Sequence, residues 1–177
     1  MDSSLVPVEV VGMHTVGPED FVCVLLALPE DEKVMPVWVD PLESALIAES
    51  MSAADRRRPG THAFLAEALT EIAGGVDSIA LTSYVEGVFI ATITTSDGTE
   101  LDARASDAIA VAALLDDTLY ATEDVVAQAA VHIPNDELKE YVGFSFGDDS
   151  DDPLYEKDVQ DMLRELGVED DDNSDSD

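Results

Sequence analysis

Two stretches of this chain repeat one order of elements, and that order limits the fold more than any other feature. Each reads strand, turn, strand, turn, strand, then a short polar corner that opens a helix. The first runs through Val6 to Val16, Phe21 to Leu28 and Val34 to Val39, with turns at Gly17-Pro18-Glu19-Asp20 and Pro29-Glu30-Asp31-Glu32-Lys33. The second runs through Val76 to Tyr84, Val88 to Thr95 and Thr99 to Arg104, with turns at Val85-Glu86-Gly87 and Ser96-Asp97-Gly98. β-branched runs bounded by Gly, Pro and Asp clusters are the mark of short antiparallel strands. A shift of 64 residues lays Val37 on Leu101 and Glu43 on Asp107. This is a candidate ββ-β-α internal duplication in an α+β fold, with chance similarity as the alternative.

Local chemistry places the helices. Asp40-Pro41 is an N-cap followed by a proline at the first helical position, and the helix extends to about Ala54. Thr61 is a plausible cap for a second helix with Phe64, Leu65, Ala68, Leu69 and Ile72 as its apolar stripe, ended by Gly74-Gly75. Ser106 to Leu115 is a third helix, with Ser106 or Asp107 as its cap. Thr122 caps a fourth, Glu123 to Ala130, after a short strand at Leu119-Tyr120-Ala121. Pro36 marks the third strand as a strand start or an edge. Phe21 to Leu28 is apolar on both faces and therefore central.

Residues 1–147 form one domain, and residues 148–177 form an acidic tail. The tail has a candidate helix at 153–166 and a low-complexity end expected to be disordered. The partner of that tail is not specified by its sequence.

Charge narrows the function. Forty acids face eight bases, a formal net charge of -32, and residues 1–147 alone hold 26 acids and 6 bases. Self-repulsion on that scale strains a compact state unless salt screens it. We read the chain as adapted to a salt-rich cytoplasm. Such a body has no bulk attraction for nucleic acid, so any phosphate site must rest on specific contacts or metal ions. The single cysteine, Cys23, excludes an internal disulfide or a cysteine zinc site and reads as a core residue. The N-terminus lacks the features of a signal peptide, and no run reaches the roughly 18 apolar residues of a membrane span. A soluble cytoplasmic protein with no membrane partner is expected.

Four motifs in order resemble the bifunctional nuclease domain family. They are Met35-Pro36-Val37-Trp38-Val39 with Glu43, then Arg58-Pro59-Gly60-Thr61-His62, then Glu86-Gly87, then Asp102-Ala103-Arg104-Ala105-Ser106-Asp107-Ala108. The likeness covers about Val8 to Val131. The chain departs from the family pattern at Asp40, where Gly is usual, at Ala63, where Asp is usual, and at Ala105, where Pro is usual. The resemblance implies an α+β domain with a strongly curved mixed sheet and helices packed on it, often as a homo-oligomer. For some plant members it implies cleavage of both RNA and DNA.

Phosphodiester cleavage needs an activated nucleophile, charge relief on the phosphate and a proton for the leaving oxygen. Glu43, Asp102 and Asp107 are candidate ligands for Mg²⁺ or Mn²⁺. Arg58, Thr61, Arg104 and Ser106 are candidate phosphate contacts. His62, Asp107 and Asp102 are candidate catalytic groups. The alternative is a non-catalytic oligomeric scaffold or ligand-binding module whose polar corners are structural ion pairs. No zinc-hydrolase or P-loop pattern is present.

Overall fold

A computed structural model describes residues 4–16, 21–52 and 58–146. The expected turn at 17–20, the first part of the basic turn (55–57) and the whole acidic tail lie outside the described residues. The first compact unit runs to Phe144.

Seven strands form one mixed sheet: β1 (Leu5–Val16), β2 (Phe21–Leu28), β3 (Lys33–Val39), β4 (Val76–Val85), β5 (Val88–Thr95), β6 (Glu100–Arg104) and β7 (Leu119–Thr122). Among the described residues five α-helices accompany them: α1 (Pro41–Met51), α2 (Thr61–Glu71), α3 (Ala105–Leu115), α4 (Glu123–Ala129) and α5 (Asn135–Val142). The strand order is β3-β2-β1-β7-β4-β5-β6. Each half therefore folds as its own antiparallel meander. The short β7 joins them, antiparallel to β1 and parallel to β4. β3 and β6 are the opposite edges, and each runs straight into a helix. The N-caps of those helices are Asp40 and Arg104, separated by the same 64 residues that relate the two halves in sequence.

Turn chemistry fixes the hairpins. Glu86 and Gly87 both have positive φ, 52° and 88°, which suits the tight reversal between β4 and β5. At the other hairpin, Asp97 accepts from the Thr99 amide at 3.0 Å and from the Thr95 hydroxyl at 2.7 Å. In β1 the register shifts between Val10 and Gly12. A Cβ on Gly12 would come within 2.5 Å of the His14 ring nitrogen, so a larger residue at that bulge would have to displace the His14 side chain.

The core lies between the sheet and the helices. Leu26, Leu28, Met35, Ile47, Ile79, Leu81 and Ile109 are its largest closed-off side chains. Each such side chain contributes about 1.5–3 kcal/mol by leaving water. α3 is the central helix. Its Ala105, Ala108, Ala110 and Ala112 are small, so α1 and α2 can approach it closely. β2 is buried from Cys23 to Leu28, on both faces, and is flanked by β1 and β3. Burial also pushes the Cys23 thiol up from its ordinary pKa.

Several sequence expectations change here. The stripe expected for α2 is displaced: Ala66 and Leu69 are buried, while Phe64 and Ile72 are exposed. α2 packs chiefly on α3, and the face that closes runs His62, Ala66, Leu69 at helical spacing. Thr61 does not cap α2; Gly60 occupies that position without a side-chain bond. α3 begins at Ala105, and its N-cap is Arg104 rather than Ser106 or Asp107. The segment after Val131, expected only as a short piece on the body, contains the two-turn helix α5 with Leu138 buried.

Candidate functional site

The polar corner forms where α1, α2 and α3 begin. Asp40 starts it with a reciprocal capping box. The Glu43 amide donates to Asp40 Oδ1 at 2.9 Å, and the Asp40 amide donates to Glu43 Oε2 at 3.2 Å. The cap fixes the Glu43 rotamer and leaves Oε1 to accept from other groups.

Two donors reach that oxygen from the other half of the chain. Arg104 Nη1 donates at 2.6 Å and the Ser106 hydroxyl at 3.1 Å. Arg104 also forks onto Asp107, with Nε donating to Oδ2 at 2.9 Å and Nη2 to Oδ1 at 3.1 Å. His62 completes the set: its Nε2 lies 2.9 Å from Asp107 Oδ1. An ionised carboxylate only accepts, so Nε2 carries the proton and Nδ1 is left as the lone-pair nitrogen of the neutral ring.

The electrostatics follow from this geometry. Burial pushes the Asp107 carboxyl up, but the bonds from Arg104 and His62 outweigh it and hold Asp107 below the usual carboxylate range. Hydrogen bonding to Asp107, reinforced by the charges of Asp107, Glu43 and Asp40, pushes Arg104 further up. The side chains of Glu43 and His62 are 17% and 14% exposed, whereas Arg104 is 65% exposed. The guanidinium is therefore a lid over closed-in acids, with two of its five N–H groups unused by these bonds.

Of the residues singled out from sequence, Glu43, His62, Arg104, Ser106 and Asp107 come together. Asp102 does not join them. It lies two residues before Arg104 on β6, exposed and paired in register with Thr92. Arg58 is exposed in the bend before α2, and Thr61 is exposed on its first turn. Among the described residues no group of three or more His, Cys, Asp or Glu side chains is arranged to hold a metal. Glu43 and Asp107 meet across the Arg104 guanidinium, which fills the place between them that a bridging cation would need. As they stand, these residues do not fit the expected Mg²⁺ or Mn²⁺ site.

Sequence reasoning missed Asp40 as a member of the network beyond its role as cap. The signal was present: Asp40 and Glu43 have the spacing of a capping box. It also left His62 without an acid, because Ala63 follows it. Asp107 supplies that acid from 45 residues away.

This is a corner able to bind an acceptor at Arg104 and to move a proton at His62. The family model of the bifunctional nuclease domain matches residues 24–134, which contain the whole corner. The chain belongs to the bifunctional nuclease domain family. It is 27% identical over 133 residues to the uncharacterized protein Rv1829 of Mycobacterium tuberculosis strain H37Rv. That match spans 75% of this chain and 81% of the relative. The uncharacterized protein MT1877 of Mycobacterium tuberculosis strain CDC 1551 matches to the same extent. No helix among the described residues is long and apolar enough to cross a membrane.

Proposed function

We propose that the chain hydrolyses phosphodiester bonds of RNA, DNA or both at the corner formed by α1, α2 and α3. The observation that carries this reading is the bond of His62 Nε2 to Asp107 beside the exposed Arg104. Asp107 holds the imidazole in one tautomer, so Nδ1 is the free base. In the reaction a water oxygen attacks phosphorus, His62 Nδ1 takes its proton, and one ester oxygen leaves. The imidazolium then returns the proton to that oxygen. The unused N–H groups of Arg104 bind the phosphate oxygens and offset the charge that develops on them. Glu43 and Ser106 position Arg104.

The test compares wild type with His62→Ala and Asp107→Ala on single-stranded RNA and DNA in molar KCl. Loss of the acid–base group is expected to slow cleavage by about 10²–10⁴-fold. Equal activity in all three proteins would assign the cleavage to a contaminant and overturn the reading.

A second reading is favoured by one observation. Three of the Arg104 N–H groups already serve Glu43 and Asp107. In that reading the corner is a clamp between helices in a non-catalytic scaffold, and neither substitution affects any turnover.

A further inference from the structure

The sheet parts where β1 changes partners. β1 pairs with β7 over Leu5–Val8 and with β2 from Glu9 onward. The β1–β2 ladder ends at Glu9 and Ala27, so Leu28 and the turn after it leave β1 behind. A cleft of about 540 Å³ lies in that split. Val6 and Glu9 of β1 line one side, and Leu28, Glu30, Asp31 and Lys33 line the other. α4 closes it with Glu123 and Val126. Backbone bonds brace the elements around it. The Glu123 amide donates to the Ser4 carbonyl at 3.2 Å, which ties α4 to the start of β1. Val34 and Val131 exchange bonds at 2.9 and 2.8 Å, which ties β3 to the segment after α4. A cleft so braced is formed before any ligand arrives, as small-molecule sites usually are. It is also distant from the polar corner: Lys33 begins β3, Asp40 follows its end, and a strand of that length spans roughly 20 Å.

The lining joins an apolar surface to charges of both signs. Val6, Leu28 and Val126 are apolar, four carboxylates come from Glu9, Glu30, Asp31 and Glu123, and Lys33 brings one ammonium. Lys33 is half-buried, and among the described residues its ammonium makes neither an ion pair nor a hydrogen bond. Arg104 behaves in the opposite way, spending three N–H groups on Glu43 and Asp107. Lys33 shares one cleft with four carboxylates and closes on none of them, which leaves it to an acceptor from outside the chain. The excess of carboxylates over that single ammonium calls for positive charge elsewhere on the same molecule. The apolar surface between them suits a short aliphatic chain.

We infer that this cleft binds a small amphoteric molecule, an amino acid with a basic side chain. Its carboxylate meets Lys33, and its cationic groups lie among Glu9, Glu30, Asp31 and Glu123. The site is separate from the polar corner and does not depend on the nuclease reading.

Arginine, agmatine (arginine without its carboxylate) and glutamate are titrated into the full chain in molar KCl, and the heat of binding is recorded. Arginine is expected to saturate at one molecule per chain and to bind about tenfold more tightly than agmatine or glutamate, the worth of one charged hydrogen bond. Lys33→Met is expected to erase the preference for arginine over agmatine while agmatine binding stays as in wild type. Glu30→Gln, on the exposed turn, is expected to weaken arginine and agmatine alike. Circular dichroism checks that each variant is folded. Agmatine bound as tightly as arginine by the wild type makes the cleft a general acidic surface and overturns the inference. Glutamate bound as tightly as arginine overturns it as well. Arginine binding that neither Lys33→Met nor Glu30→Gln alters places the ligand elsewhere and overturns it, as does the lack of saturable binding by all three.

Discussion

Glu43 Oε1 lies 2.6 Å from Arg104 Nη1, although one residue follows β3 and the other ends β6, the two opposite edges of the sheet. Six strand spacings separate those edges, roughly 29 Å if the sheet were flat. Two side chains cannot bridge that gap, so the sheet curls until its edges approach. The ion pair is the contact at which the curl closes.

Removing Arg104 should therefore cost more than an ordinary surface ion pair. Arg104→Ala leaves Glu43 and Asp107 facing one another with their charges half-enclosed. A loss of about 1–2 kcal/mol is expected, kept low because the guanidinium itself is solvent-exposed. Chemical denaturation of wild type and variant measures it. In the double variant Arg104→Ala/Glu43→Gln, part of the loss should be recovered, since one of the two opposed charges is gone.

The same corner predicts how stability falls in acid. Asp107 has a folded-state pKa below its ordinary value of 3.8. Its contribution is complete above the ordinary carboxylate range and is lost as the pH falls through the lowered folded value. Denaturation midpoints of wild type and Asp107→Asn should differ most near neutrality and converge as the pH falls below that lowered value. A constant gap across the acid range would remove the linkage.

Asp102 offers a contrast within the same motif. It sits outside the ion-pair corner, exposed and opposite Thr92. Asp102→Asn should change stability by less than about 0.5 kcal/mol and leave cleavage near wild type. Cleavage should also persist in EDTA. Loss of activity in either experiment would show that the Glu43, Asp102 and Asp107 carboxylates gather round a divalent ion after rearranging.

Salt should act on the whole body. With a net charge of -32, repulsion grows as the screening length rises above about 3 Å, that is below about 1 M. The melting temperature is expected to fall steadily as KCl is lowered from 3 M to 0.1 M. An invariant melting temperature would contradict the salt adaptation read from composition.

Much of the fold was legible because its signals are local. Asp40-Pro41 and Thr122 begin helices as their side chains dictate: the Asp40 carboxylate accepts from the Glu43 amide, and Thr122 Oγ1 accepts from the Val125 amide. Pro36 marked a strand start or an edge, and β3 is an edge strand. The rest depends on contacts distant in sequence. The insertion of β7 between the two meanders cannot be read from four residues of strand. Phe64 looked like core because an apolar residue at helical spacing usually is. Which face of α2 closes was decided chiefly by its packing on α3. Of the site, the members could be named singly. Their meeting could not, because Glu43 and Arg104 are 61 residues apart and are brought together by the curl of the sheet and the packing of α1 on α3.

That curvature has a mechanical consequence. A contact made only at the closing seam of a bent sheet acts as a gauge of the bend. Flattening the sheet would draw Glu43 and Arg104 apart, so the geometry of the corner is geared to the bend of the sheet that carries it.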